Sequence, residues 1–387
     1  MDINQLKKQF KSIYGESKDE IRTYFAPGRV NLIGEHVDYN GGYVFPCALS
    51  LGTYILARQV QSDTISFTSE NYDFRASISR SDWQIKHGNH WINYPLGVVD
   101  QFLKKGFSLG GLQLLFYGDL PNGAGLSSSA SVEMGTAVLL NDIFSCQLDG
   151  VELARMSQKA ENQFVGVNCG IMDQFASGMG KKDHAIYLDC SSLKYELVPI
   201  KLNGNKLVIA NTNKPRKLAD SKYNERRSEC DKAVEFINKV KSINLLGELS
   251  LKDFNELSKV ISDNTILRRA RHVVSEIERT NEAVQALKSG NLIQFGQLMN
   301  ASHDSLRDDY EVTGIELDTL VDEARKVEGT IGSRMTGAGF GGCTVNLVNE
   351  LAIDRFISNV GENYKTKVNL EADFYVADIG DGEKRID

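Results

Sequence analysis

A chain of 387 residues, 41% hydrophobic and 25% charged, has the composition of a soluble globular protein and is too long for one ordinary core, so two domains are expected. The net charge of −7 argues against nucleic acid as the main partner but leaves room for a nucleotide met by a few local cations and a divalent metal. No apolar run is long enough to cross a bilayer, and the polar stretch Met1 to Glu20 lacks a signal-peptide core. Six scattered cysteines, with no Cys-x-x-Cys pair, suit reduced thiols in a cytoplasmic protein and argue against zinc.

In chain order, Leu6, Phe10 and Ile13 predict an amphipathic helix within residues 1–20. Residues 26–42 then crowd Arg29, Asn31, Glu35, His36 and Asp38 among glycines and apolar residues. A salt-bridged loop is one reading. The other is a pocket for a small polyhydroxylated molecule, with carboxylates accepting from hydroxyls and Arg and His donating. Residues 43–79 alternate like antiparallel strands, and 91–103 predict a helix.

A buried strand is expected at 111–117 and a helix at 131–144, joined by Pro121-Asn122-Gly123-Ala124-Gly125-Leu126-Ser127-Ser128-Ser129-Ala130. The glycines allow a tight turn and close approach of a ligand. The serines fall where a helix leaves its first N–H groups unpaired and carries partial positive charge, a natural seat for phosphate. A capped helix after a turn is the plainer alternative. Next come a helix at 151–164 carrying Glu161 and a glycine-led turn into a helix with Asp173 in its first turn.

Near residue 201 the texture changes, and a domain boundary is expected at 195–205, giving domains 1–200 and 201–387. A strand at 206–210 precedes long charged helices at 217–240, 266–288 and 315–326, where clusters such as Glu225-Arg226-Arg227 read as solvated faces. The cluster Gly332 to Gly342 contains Gly-x-Gly-x-x-Gly at Gly337, Gly339 and Gly342. A dinucleotide fingerprint would open a helix, yet 343–348 read as a strand. A loop that closes over a ligand or packs on the first domain is the better reading.

These parts suit phosphoryl transfer, which needs a phosphate cradle, a metal held by oxygens, a positioned hydroxyl and a proton acceptor. No Gly-x-x-x-x-Gly-Lys-[Ser/Thr] is present, so the cradle is not a P-loop. A loop serine and one carboxylate make an ordinary Mg²⁺ set, with Glu161 and Asp173 as candidates. By pattern alone Glu161 is equally a solvent-facing helix residue. An aspartate lies about eight pKa units below a sugar hydroxyl, roughly 11 kcal/mol if the proton left first. The proton must therefore leave as the oxygen bonds to phosphorus, with Asp173 orienting the hydroxyl and Arg29 beside it offsetting charge.

Three motifs, in this order, resemble the galactokinases of the GHMP small-molecule kinase family: Gly28-Arg29-Val30-Asn31-Leu32-Ile33-Gly34-Glu35-His36-Val37-Asp38-Tyr39-Asn40-Gly41-Gly42-Tyr43-Val44-Phe45-Pro46, the loop from Pro121 to Ser131, and Gly332 to Gly342. Between them, Cys169-Gly170-Ile171-Met172-Asp173-Gln174 matches the segment that carries the catalytic aspartate. The first motif marks galactokinases; the other two mark only the wider family. Val37 stands where the family usually has threonine. Coverage runs from about Pro27 to Val348.

The resemblance implies an α+β fold of two domains, an N-terminal one with a mixed sheet and helices on one side and a C-terminal ferredoxin-like one, with the active site between them. It implies transfer of the ATP γ-phosphoryl group to the anomeric hydroxyl of α-D-galactose, with Mg²⁺ as cofactor. By residue it implies Asp173 as proton acceptor and Arg29 as transition-state stabiliser. Glu35, His36, Val37, Asp38, Gly170, Asp173 and Tyr223 correspond to the galactose contacts. Gly123, Ala124, Gly125, Leu126, Ser127, Ser128 and Ser129, with Ser69, correspond to the ATP site, and Ser129 and Glu161 to the Mg²⁺ ligands. No nucleic acid, membrane or obligate protein partner is expected. Two rivals stand beside this reading. One is a related kinase for another sugar, such as N-acetylgalactosamine or arabinose, or for mevalonate or homoserine, the last two weighed against by the first motif. The other is a galactose- and ATP-binding regulator without turnover, against which the intact serine loop, Arg29 and Asp173 weigh.

Overall fold

In the computed structural model, residues 2–121, 125–214 and 219–387 are described. Alternating apolar positions build a six-stranded sheet in the order Lys384–Arg385, Arg22–Asn31, Pro46–Val60, Gly111–Gly118, Thr64–Ser69, Ala76–Ser79. One face, carrying Ile55, Ala57, Leu112 and Leu114, packs under the helices Asn93–Lys104, Ser128–Ile143 and Met172–Met179. On the other face Leu56 and Leu115 meet Leu6 and Phe10 of the N-terminal helix Ile3–Tyr14. The strands expected to be antiparallel include one parallel pair: Thr64–Ser69 runs alongside Gly111–Gly118. The helix Asn93–Lys104 lies between them in the chain and supplies the crossover that a parallel pair needs.

A second sheet, four-stranded, has the order Thr330–Thr336, Cys343–Asn349, Asn205–Asn211, Asp373–Ala377, each pair antiparallel. With its intervening helices the chain here runs strand, helices, two strands, helix, strand, the ferredoxin-like sequence of elements. Half of the glycine cluster is therefore strand: Gly332 to Thr336 pair with Cys343 to Leu347, and only residues 337–342 form the loop. The chain end returns to the first sheet, where Arg385 pairs with Tyr24 and Lys384 with Phe25.

The long helix Asn264–Lys288 is the brace between the sheets. Its apolar stripe includes Ala270, Val273, Val274 and Ile277, which join the core beneath the first sheet, and Ala283 and Val284, which join the core beneath the second. The expectation of a solvated Glu225-Arg226-Arg227 face fails at Arg226. That side chain is buried, donating from Nε to the Tyr310 carbonyl at 2.8 Å and from Nη1 to Glu229 at 2.7 Å. Its charge is met by a carboxylate from its own helix, which is how a guanidinium tolerates burial.

Candidate active site

Arg29 sits near the end of the first strand, Arg22–Asn31, and Asp173 in the first turn of the helix Met172–Met179. They form a two-point pair: Nε to Oδ1 at 2.7 Å and Nη2 to Oδ2 at 2.8 Å. The remaining guanidinium nitrogen, Nη1, donates to the Gly125 carbonyl at 2.9 Å, and the Arg29 backbone N–H to Leu126 at 3.1 Å. Burial works against the charge of Arg29, but Asp173, Glu35 and Asp38 outweigh it and raise its pKa. Ser127 adds a third contact, its hydroxyl donating to Asp173 Oδ2 at 2.6 Å. Ser127 precedes the helix Ser128–Ile143 with φ of 60°, a costly left-handed conformation for serine, and does not cap that helix. Its hydroxyl is spent on Asp173, so the helix's first N–H groups remain available to an anion.

The polar cluster of the first motif shares a cavity with the serine loop and is held by the far half of the chain. Glu276 of the long helix accepts the N–H groups of Gly34 at 3.0 Å and Glu35 at 3.3 Å, and His272 donates from Nε2 to the Glu35 carbonyl at 3.1 Å. Burial opposes the charge of Glu276, yet Arg279, His272 and Arg334 bring its pKa down to about 2. Glu35 itself accepts from the Gly337 N–H at 2.6 Å and from Asn31 at 2.8 Å. The glycine loop therefore docks directly on the first motif. Gly337 has φ of 85° and a Cβ there would lie 3.2 Å from the Gly125 carbonyl, so this loop also closes over the serine loop.

His36 is neutral: burial, then neighbouring His272 and arginines, pushes its pKa down to about 3. Its Nε2 faces the Ala338 carbonyl at 3.2 Å, which can only accept, so Nε2 carries the proton and Nδ1 accepts from the Tyr39 hydroxyl at 2.9 Å. Tyr39 must then accept from Tyr310 at 2.8 Å, and Tyr310 from the Cys230 thiol at 3.1 Å. Tyr223 packs its ring 5.5 Å from that of His36. Asp38 abuts Gly170, where a Cβ would lie 1.8 Å from the Asp38 carboxylate; only glycine permits that approach. Burial, then repulsion from Asp173, raises the Asp38 pKa to about 7.

Glu35, His36, Asp38, Gly170 and Tyr223 line a cavity of about 340 Å³ together with Arg29, Asp173, Glu161, Cys169 and the serine loop. Glu161 lies in the π-helical turn Ala160–Val165, buried, its pKa raised to about 7 by burial and by Asp173, with the Ser129 hydroxyl as a hydrogen-bond partner. A second hollow of about 200 Å³ shares Ser128 and Ser129 with the first and runs past Ser69 to Tyr72, Trp91 and Tyr94. The rings of Tyr72 and Trp91 lie 22° from parallel.

The galactokinase galactose-binding signature matches residues 8–59, the GHMP kinase N-terminal domain residues 93–181 and the GHMP kinase C-terminal domain residues 283–366. The chain is 54% identical to the galactokinase of Clostridium acetobutylicum over 99% of each chain. The chain belongs to the galactokinase family. Fusobacterium nucleatum galactokinase is 53% identical over 99% of this chain and all of its own. The crystal structure of Lactococcus lactis galactokinase complexed with galactose superposes with a TM-score of 0.97 at 45% identity, covering 99% of this chain and all of that one. The fold is the two-domain α+β fold of the GHMP kinases.

Of the galactokinase residues named from the sequence, Arg29, Glu35, His36, Asp38, Gly125, Ser127, Ser128, Ser129, Glu161, Gly170, Asp173 and Tyr223 line the one cavity, and Ser69 the adjoining hollow. Val37 lines neither. Its side chain is fully buried in the core and its carbonyl closes the turn by accepting from Asn40 and Gly42. Leu126 is likewise a core residue at the loop's end, reaching the site only through its carbonyl. Gly123 and Ala124 lie outside the described residues. Sequence reading passed over Tyr39, Tyr310, His272, Glu276, Glu133 and Gln174. A signal existed for Glu133 and Gln174: polar side chains in helices whose neighbours are small and apolar, Ser-Ala-Ser-Val-Glu-Met-Gly and Met-Asp-Gln-Phe-Ala.

Proposed function

We infer that the protein is a galactokinase, transferring the γ-phosphoryl group of ATP to the anomeric hydroxyl of α-D-galactose to give α-D-galactose 1-phosphate and ADP. Full-length likeness to bacterial galactokinases supports the activity. The observation that carries the mechanism is the joint of Arg29, Ser127 and Asp173, which puts a carboxylate between the polar cluster and the serine loop. Galactose hydroxyls bind among Asp38, Glu35, His36, Tyr223 and the Gly170 backbone. The triphosphate runs along the first N–H groups of the helix Ser128–Ile143, and the base lies in the hollow past Ser69 against Tyr72 and Trp91.

Asp173 accepts the C1 hydroxyl proton as that oxygen bonds to the γ-phosphorus and the bond to the ADP oxygen breaks. Arg29 and Ser127 hold the carboxylate in line, so little entropy is lost at the moment of transfer. Arg29 also stands beside the charge that spreads over the transferring group. A divalent cation suits the nucleotide end. Four carboxylates, Glu35, Asp38, Glu161 and Asp173, line the cavity against the single guanidinium of Arg29 among the described residues. Ser129 and Glu161 offer hard oxygens side by side. Among the described residues no three His, Cys, Asp or Glu side chains form a ready cage. Mg²⁺, which binds through one or two carboxylates plus phosphate oxygens and water, fits such a set. Ser129 and Glu161 would hold it, and it would neutralise the phosphates. Among the described residues no helix is long and apolar enough to cross a membrane. Free thiols at all six cysteines support a cytoplasmic setting.

The test is ADP release with ATP, Mg²⁺ and a panel of galactose, N-acetylgalactosamine and arabinose. Galactose is expected to give the highest kcat/KM. A better rival sugar, or galactose binding without ADP release, would end this reading.

A further inference from the structure

Behind Glu161 lies a polar group that the reaction as derived does not use. Gln174, fully buried, follows Asp173 in the helix Met172–Met179. Its side-chain nitrogen donates to two carboxylates at once: to Glu161 Oε2 at 2.7 Å and to Glu133 Oε2 at 2.9 Å. Glu133 is also fully buried, one turn into the helix that begins at the serine loop. Glu133 also meets the Glu161 carboxyl directly, and among the described residues neither Glu133 Oε1 nor the Gln174 carbonyl oxygen has a hydrogen-bond donor. The reverse orientation would set that carbonyl against both carboxylates, so the amide faces them with its N–H groups. The Cys169 thiol lies 3.4 Å from the same Glu161 Oε2 and 3.2 Å from Asn162 Oδ1, and its one proton is shared between them. Glu161 Oε2 thus accepts from the buried Gln174 amide, and the Ser129 hydroxyl is a further partner of the same carboxylate.

We propose that Gln174, anchored by Glu133, is a positioning residue that fixes the Glu161 carboxylate in the orientation that binds the nucleotide's divalent cation. This rests on the Mg²⁺ reading of Ser129 and Glu161 and adds the device that holds one of those ligands. Polar groups behind metal ligands usually govern affinity by 10- to 100-fold. The same helix carries Asp173, so one short element sets both the proton acceptor and the metal ligand. Glu133 stands four residues beyond Ser129 and ties the two helices together through Gln174.

The experiment is Mn²⁺ binding to the full-length protein in saturating ADP, read by the paramagnetic resonance signal of free Mn²⁺, with galactose affinity measured alongside. Gln174→Met is expected to raise the Mn²⁺ dissociation constant by about 10- to 100-fold and to leave galactose binding unchanged. Glu133→Gln keeps an acceptor oxygen for the Gln174 amide and is expected within about threefold of wild type, because the anchor and not its charge is what matters. If Gln174→Met does not unfold cooperatively, Gln174→Asn, too short to span both carboxylates, takes its place with the same rise expected. Wild-type Mn²⁺ affinity in the Gln174 variant overturns the proposal, as does a Glu133→Gln loss equal to that of Gln174→Met. Glu161→Ala separates the two levels. If it binds Mn²⁺ like wild type, the metal reading itself is wrong. If it loses Mn²⁺ while Gln174→Met does not, only the positioning role fails.

Discussion

The two ends of the cavity are built on opposite principles. At the end proposed for the sugar, Asp38 apart, polar groups are met by partners near and far in the chain: Glu35 by neighbouring Asn31 and distant Gly337, the Gly34 and Glu35 amides by distant Glu276, and His36 by nearby Tyr39 and distant Ala338. At the nucleotide end, Glu133, Glu161 and Asp173 crowd one another, and burial with mutual repulsion raises the pKa of the first two. A satisfied network is stiff and selects by shape and hydrogen bonding. A crowd of carboxylates stores repulsion that only a cation or protons relieve. The proposed sugar pocket is thus specified by the fold, whereas the proposed nucleotide end gets its final charge balance from what binds there.

The largest expected effect comes from the group between the two ends. Asp173→Asn keeps the shape and one acceptor oxygen but cannot take the proton, so kcat should fall by about 10²- to 10⁴-fold. Galactose affinity, measured calorimetrically, should stay within about threefold, since Asp173 is one of several contacts. A kcat within tenfold of wild type would remove Asp173 from the chemistry.

Next in size is Glu276→Gln, which strikes the sugar end without touching the sugar. The amide has one acceptor oxygen for the Gly34 and Glu35 N–H groups and no charge for Arg279, which donates to Glu276 at 2.8 Å. Leaving a buried charge short of its partner is costly. The galactose dissociation constant should rise about 10- to 30-fold, roughly 1.4–2 kcal/mol, with ATP affinity unchanged. Equal losses for both substrates would dissolve the contrast between the ends.

The third prediction concerns pH. Asp38, with its pKa raised to about 7 by burial and by Asp173, holds a proton in the free folded protein that the unfolded chain has already released above its ordinary value of 3.8. Its contribution to folding stability is therefore full below that ordinary value and is lost as pH rises toward 7. Galactose binding runs the other way, because the ionised carboxylate is the better acceptor for sugar hydroxyls. Affinity should weaken about tenfold per pH unit below 7, and Asp38→Asn should flatten the profile. A wild-type profile flat between pH 5.5 and 8 would contradict it.

How much of this was legible in the sequence follows from chain separation. Arg29, Glu35, His36 and Asp38 sit within one motif, and Asp173 in another, so residue type and spacing exposed them. Glu276 reaches Gly34 across 242 positions with nothing local to mark it, and although Glu133 and Gln174 each stand out among small apolar neighbours, nothing local says that they meet across 41. Arg226 was misread for the same reason: a charge in a charged helix looks solvated until Tyr310, 84 positions on, covers it. The parallel strand pair escaped because alternation reports which face is buried and not the neighbour's direction. Val37 and Leu126 fell inside motifs whose outward residues bind, but the strand-and-turn geometry aims their side chains into the core.

The smallest effect tests the relay from His36 to Cys230 and grades the sugar end from within. Tyr39→Phe removes the donor to His36 Nδ1, so the ring loses that hold on its tautomer while Nε2 still faces the Ala338 carbonyl. Tyr310→Phe acts one link further out, leaving Tyr39 without its donor and the Cys230 thiol without its acceptor. Each lost neutral hydrogen bond contributes about 1 kcal/mol, so Tyr39→Phe should weaken galactose binding about fivefold. Tyr310→Phe should weaken it less, about twofold, because Tyr39 can still donate to His36 once its own donor is gone. Neither should alter Mn²⁺ binding in ADP, since neither residue lines the nucleotide end. If Tyr310→Phe proves the more damaging, the relay does not run toward His36, and Tyr310 acts instead through its ring, 4.8 Å from that of His36.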